Sequence, residues 1–188
     1  MRVLPLVSTM LLGLSLGVGP ASVSASDTST TALERQLLKA GPLTRTTWLR
    51  SEAIVHGGKL FVGIDAISVA AAGAPKADGL LISIQEPGTQ NTHSSYVDRD
   101  EIGPLLEALR TIQHAADTWK KGAGTKTTEL RCRTRDWFVV SLTQYDSHQI
   151  LTVRSGDQAN AEVTLEAEDA ARLLGSVESC AGSLRSPQ

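Results

Sequence analysis

Arginine alternates with smaller side chains through Glu129-Leu-Arg131-Cys-Arg133-Thr-Arg135. On a β-strand successive side chains point to opposite faces. That order therefore puts Arg131, Arg133 and Arg135 on one face and Leu130, Cys132 and Thr134 on the other. Lys120, Lys121 and Lys126 lie just before it. Three guanidiniums on one face suit anion binding, to polysaccharide phosphate, nucleic acid or an acidic partner protein. The plainer expectation is a solvated sheet face whose charges oppose Asp or Glu on neighbouring strands and deter edge pairing. Only 4% of residues are aromatic, which argues against nucleic acid, since single strands are held largely by stacking.

The chain has two cysteines, Cys132 and Cys180, with 47 residues between them. In an oxidising compartment they are expected to pair as a structural disulfide, since redox or metal roles want a CxxC or a Cys/His cluster. Closing a loop of that length would stabilise the fold by about 4 kcal/mol on the chain-entropy model.

Other motifs fail on inspection. Gly13-Leu-Ser-Leu-Gly17 has the nucleophile-elbow spacing but falls in the leader, and Gly122-Ala-Gly-Thr-Lys126-Thr lacks the adjacent Gly-Lys of a phosphate loop. Asp98-Arg-Asp100-Glu-Ile-Gly103 begins like a calcium loop, yet Ile102 and Leu109 stand where ligands belong. Those acids are better explained as helix-start residues complementing the dipole. His56, His93, His114 and His148 are far apart, without a His-x-x-x-His pair. No metal or cofactor is expected. Catalysis would need a site assembled by folding from distant residues such as His56, His93 and Asp100.

These residues must be positioned by strands and helices of readable type. Thr31-Ala-Leu-Glu34 is a capping box ahead of Leu33, Leu37 and Leu38, predicting a short helix stopped at Gly41-Pro42. β-type runs follow at Leu60–Val69, Leu80–Ile84 and Ser94–Val97, with turn signals at Gly73-Ala-Pro75 and Asp78-Gly79. Ile102, Leu105, Leu106, Leu109, Ile112 and Ala116 form a helical stripe. Asp98 and Glu101 read as its cap, whereas Pro104 moves the expected start of the regular helix toward itself. Strands are predicted again at Glu129–Arg135, Trp137–Thr143, Ile150–Val153 and Glu162–Leu165. A last helix is predicted from about Glu168, with Ala170, Leu173, Leu174, Val177 and Cys180 on one stripe.

A shift of 68 residues places Ile82 on Ile150, Leu105-Leu106 on Leu173-Leu174 and Leu109 on Val177. The expected fold is α+β: twisted antiparallel sheet with two packed amphipathic helices plus the short N-terminal helix, the two strands-then-helix units being either a repeat or two units that merely share a common spacing. The disulfide would then pin the second helix to the strand carrying Cys132.

Ser95-Tyr-Val-Asp-Arg-Asp-Glu-Ile102, followed by Leu105-Leu-Glu-Ala-Leu109 and later by Cys132-Arg-Thr-Arg135, resembles an uncharacterised family. Its members pair a (S/Y)-V-D-x-D-E-I segment and helix with a downstream R-T-(K/R) strand. The resemblance spans about Leu60 to Leu174 and implies a compact domain without assigning an activity. Gly103-Pro104 departs from the family's Pro directly after Ile. The order strands, helix, strands, helix is also similar in topology to Whirly-type single-stranded DNA binders, whose role an export signal argues against.

Of the 188 residues 41% are apolar and 20% charged, with 18 Lys and Arg against 20 Asp and Glu. That composition excludes collagen, coiled coil and disulfide-dense mini-proteins, and the balance supplies no general pull toward nucleic acid or anionic membrane. Arg2, the apolar run Leu4–Val18, Gly19-Pro20 and Val23-Ser24-Ala25 read as a signal peptide cut before Ser26. The run is too short and interrupted to span a bilayer, and no cysteine near the cut offers a lipid anchor. Removing it leaves 17 basic against 20 acidic residues, a net charge of −3. The expected organisation is a leader at 1–25, an N-terminal segment with the short helix at 26–47, one α+β domain at 48–183 and a tail at 184–188. The expected product is periplasmic or secreted. Its expected role is to bind a protein or envelope component without catalysis. Alternatives are an exported hydrolase and a polyanion binder using Arg131, Arg133 and Arg135.

Overall fold

The computed structural model describes residues 30–38, 43–56, 59–119, 127–146, 148–157 and 160–185. The segment expected to be a leader, 1–25, therefore lies outside the described residues, as do Lys120, Lys121 and Lys126. Eleven elements are described: α1 (Ala32–Leu37), β1 (Thr44–His56), β2 (Lys59–Ala71), β3 (Ala77–Gln85), β4 (Thr92–Asp98), α2 (Arg99–Thr118), β5 (Thr128–Arg133), β6 (Val139–Tyr145), β7 (His148–Ser155), β8 (Ala161–Leu165) and α3 (Asp169–Ser183). The fold is α+β. The strands make two antiparallel four-stranded meanders, β1-β2-β3-β4 and β5-β6-β7-β8, each followed by a long helix.

Alternation builds the core. Val62, Ile64 and Ala66 of β2 and Leu80, Ile82 and Ile84 of β3 turn one face of the first sheet inward, and Val140, Leu142, Leu151, Val153, Val163 and Leu165 do the same for the second. Ser95 of β4 and Ser155 of β7, both buried, join the two inner faces through a 2.7 Å hydroxyl–hydroxyl bond. α2 buries Ile102, Leu105, Leu106, Leu109 and Ile112 and α3 buries its whole predicted stripe, whereas of the α1 stripe only Leu33 is buried and Leu38 is 73% exposed. The two long helices cross over. α3, which follows the second sheet, packs on β1 and β2, while α2 reaches β5 and β6 as well as its own β3 and β4.

The two halves correspond in register. The 68-residue shift carries buried Ile102, Leu105, Leu106, Leu109 and Ile112 onto buried Ala170, Leu173, Leu174, Val177 and Cys180, and Ser95 and Val97 onto Val163 and Leu165. It fails for the preceding strand. Cross-strand partners Ile82 and Ser95 are 13 residues apart, against 10 for Val153 and Val163, so Ile82 corresponds to Val153, not to Ile150.

Several boundaries differ from expectation. The expected division at residue 48 falls inside β1, which begins at Thr44. Asp78-Gly79, expected as a turn, lies within β3. A Cβ on Gly79 would stand 2.2 Å from the Val97 carbonyl oxygen and 2.6 Å from Leu33 Cδ1, so the glycine provides close approach. α2 begins at Arg99 despite Pro104. The expected tail loses Leu184, which is buried in the core.

The expected Cys132–Cys180 disulfide is corrected: both are free thiols. The crossover is the reason. It seats α3 on the first sheet, where Cys180 Sγ donates to the Ile64 carbonyl at 3.3 Å, while Cys132 lies on β5 of the second. Burial pushes the Cys180 thiol up to about 11 and raises that of Cys132.

Candidate anion-binding face and the acidic clamp

The arginine strand divides. β5 ends at Arg133, because the chain turns through Thr134–Phe138, with Thr134 N–H donating to the Phe138 carbonyl at 2.9 Å and Trp137 in the left-handed region at φ 55°. Arg135 therefore leaves the face on which Arg131 and Arg133 remain exposed. The expectation of a three-arginine face is corrected to two.

Arg135 enters a cluster of carboxylates at the start of α2. Its Nε lies 3.2 Å from Glu101 Oε2 and a terminal nitrogen 3.8 Å from Asp98 Oδ2, and it also pairs with Asp100. Its backbone N–H donates to Glu101 Oε1 at 2.7 Å. Glu101 closes the predicted cap by accepting from Asp98 N–H at 3.3 Å. Asp98, 6% exposed, also takes the first donors of α1, with Ala32 N–H at 2.7 Å and Leu33 N–H at 3.1 Å. Thr31 accepts from Glu34 N–H as its motif predicts. One buried carboxylate thus ties the starts of two helices, whose unpaired N–H groups and dipoles favour negative charge.

Asp136 completes the clamp by accepting the Tyr96 N–H at 2.7 Å. Burial drives its pKa up to about 6, against that hydrogen bond and with the added repulsion of Glu34, Glu101 and Asp98. The acids that resemble a calcium loop are committed to helix starts and Arg135. No group of three metal-ligating side chains occurs among the described residues.

Among the described residues, no hydrogen bond or ion pair joins a histidine side chain to this cluster. His93 is on β4, His114 is exposed on α2 and His148 is exposed on β7; the His56 side chain lies outside the description. Asp100 is taken by Arg135.

What remains presented is the outer face of the second sheet. Arg131 lies opposite Ser141, in a row continuing through Thr152 and Thr164, and Arg133 lies opposite Val139, then Arg154 and Glu162. Neither arginine has a carboxylate directly opposite, contrary to the solvated-face expectation; only Arg154 does. The Arg133 guanidinium stacks 4.3 Å from the Trp137 ring centroid.

Register shows how this face departs from its counterpart. On the first sheet Ile67, Val69, Ala77, Leu81 and Tyr96 form an apolar outer patch sealed by Leu33 of α1. The corresponding positions on the second sheet are Thr143, Tyr145, His148, Thr152 and Thr164, with Ile150 in place of Gly79. The first outer face is apolar and covered by α1, whereas the second carries mostly polar side chains at the matching positions. The sequence signal for the clamp was the capping box; nothing local marked Asp136, whose role depends on β4 lying beside the turn. No protein family, curated protein or solved structure matches the chain.

Proposed function

We propose that this chain is an exported, non-catalytic binding protein of the cell envelope or secreted fraction, and that it presents the outer face of β5–β8 to an anionic partner. The observation that carries this reading is the pair Arg131 and Arg133, exposed side by side without an acidic residue opposite either, Arg133 being held by Trp137. Two residues of strand separate them by about 7 Å, a spacing suited to successive charges on an extended anionic chain or an acidic protein surface. Export rests on the leader, Met1–Ala25.

Capture from envelope and secreted extracts by Ser26–Gln188, beside an Arg131→Ala/Arg133→Ala chain, tests the face. Arg135 is left intact because it holds the clamp. A partner retained by the first chain, lost by the second and released progressively by salt is expected. Equal retention by both chains would remove the face from the reading. N-terminal sequencing of the protein recovered from whole producing cells and their medium should begin at Ser26, with the cut form outside the cytoplasm; protein found only inside the cytoplasm with Met1 intact would overturn the export reading.

A further inference from the structure

A second surface lies apart from the arginine face. α1, the β2–β3 turn and the first turn of α2 enclose an open groove of about 930 Å³, within the size range of small-molecule sites. Ala32, Leu38, Pro75 and Ala77 supply apolar wall, and Leu38 is 73% exposed at the groove. The Gln36 side-chain amide donates to the Pro75 carbonyl and ties α1 to the turn, so the two walls are held together.

Three cations line the same groove: Arg35, Lys76 and Arg99. Lys76 and Arg99 share one carboxylate, Asp78, at 3.3 and 3.5 Å. Arg35 donates to the Thr30 carbonyl at 2.6 Å and forms no ion pair among the described residues. The other acid in the lining, Asp100, is occupied by Arg135. Positive charge is therefore in excess beside an apolar wall, which is the complement of a molecule with an apolar body and an anionic end.

We propose that this groove binds a single-chain amphiphile bearing one anionic headgroup, its chain along Leu38, Pro75 and Ala77 and its head among Arg35, Lys76 and Arg99. The proposal is independent of the partner of the arginine face.

The test is calorimetric titration of the full mature chain with dodecanoate below its micelle concentration, with dodecanol as the uncharged control and phosphatidylglycerol vesicles as the membrane arm. Dodecanoate should bind at least about tenfold more tightly than dodecanol, with amide NMR shifts concentrated at residues 35–38 and 74–78. Arg35→Ala and Lys76→Ala, at solvent-facing positions, should each weaken it roughly fivefold, and Leu38→Asp should abolish it. Arg131→Ala/Arg133→Ala should bind unchanged. Unchanged melting temperatures establish that the variants fold. No dodecanoate binding, equal affinity for dodecanol, shifts located elsewhere, or binding to vesicles alone would each overturn the proposal.

Discussion

Arg110 of α2 and Glu178 of α3 meet at 2.7 Å, and they are the same position of the two halves, 68 residues apart. The pair joins the two long helices, which pack against each other. The side chains are 55% and 44% exposed, which limits the pair to about 0.2–1 kcal/mol. Arg110→Glu should lower the urea midpoint slightly, by placing two acids together. Adding Glu178→Arg should restore it, because the reversed pair again sets opposite charges side by side. A double variant no better than Arg110→Glu would show that the contact carries no coupling.

Arg135 is the cation of the acidic clamp, and its removal leaves Asp98, Asp100 and Glu101 gathered at one helix start without it. The guanidinium is 36% exposed, so solvent moderates the loss. Arg135→Ala should cost about 1–3 kcal/mol in chemical denaturation, chiefly through the less exposed Glu101 and Asp98. Arg131→Ala, on the open face, should change stability by less than about 0.5 kcal/mol. Equal effects would mean that the turn does not organise the α2 start.

Asp136 makes the stability pH-dependent. Its pKa of about 6 in the fold lies above the ordinary 3.8, so the native state holds the proton more tightly than the unfolded chain. The resulting stabilisation is full below about pH 4 and is lost as pH rises through about 6. Asp136→Asn keeps an acceptor for the Tyr96 N–H without the buried charge. It should be more stable than the parent by about 1–2 kcal/mol at neutral pH, the gap closing toward pH 4. A gap that does not change with pH would remove the titration from the explanation.

Helix stripes were legible because burial on a helix repeats within one segment. Leu105, Leu106 and Leu109 needed nothing distant to declare their face. The match of Ile82 to Ile150 failed because a hairpin shortened by three residues reverses strand parity, and hairpin length is set by a turn that leaves no apolar pattern. Arg135 leaves its expected face for a related reason: alternation predicts a face only while the strand continues, and Thr134 ends it by bonding back to Phe138. The cysteine pairing failed on topology. Both residues do face inward, but the crossed helices send Cys180 to Ile64 of the other sheet. Alkylation of the native protein should accordingly leave both thiols slow, with two labelled after unfolding; a mass lower by two hydrogens before labelling would show a bridge.

Gly79 and Leu33 test whether α1 is part of the domain or a dispensable leader. Leu33 is fully buried on the outer face of the first sheet, in space that Gly79 leaves open, while Asp98 binds the α1 backbone. Gly79→Ala brings its Cβ against the rigid Val97 carbonyl as well as Leu33 Cδ1, so a rotamer change at Leu33 alone cannot relieve it. A loss of about 2–4 kcal/mol is expected, at the high end for overpacking because the obstacle is backbone. Leu33→Ala should cost a similar 2–4 kcal/mol by opening a cavity. The two losses should be less than additive, since once α1 has lifted neither site has further contact to lose. Hydrogen exchange should show the Ala32 and Leu33 amides opening early in either variant while Leu105 and Leu109 stay protected. Full additivity with unchanged exchange at α1 would mean that the helix is held by something other than this contact.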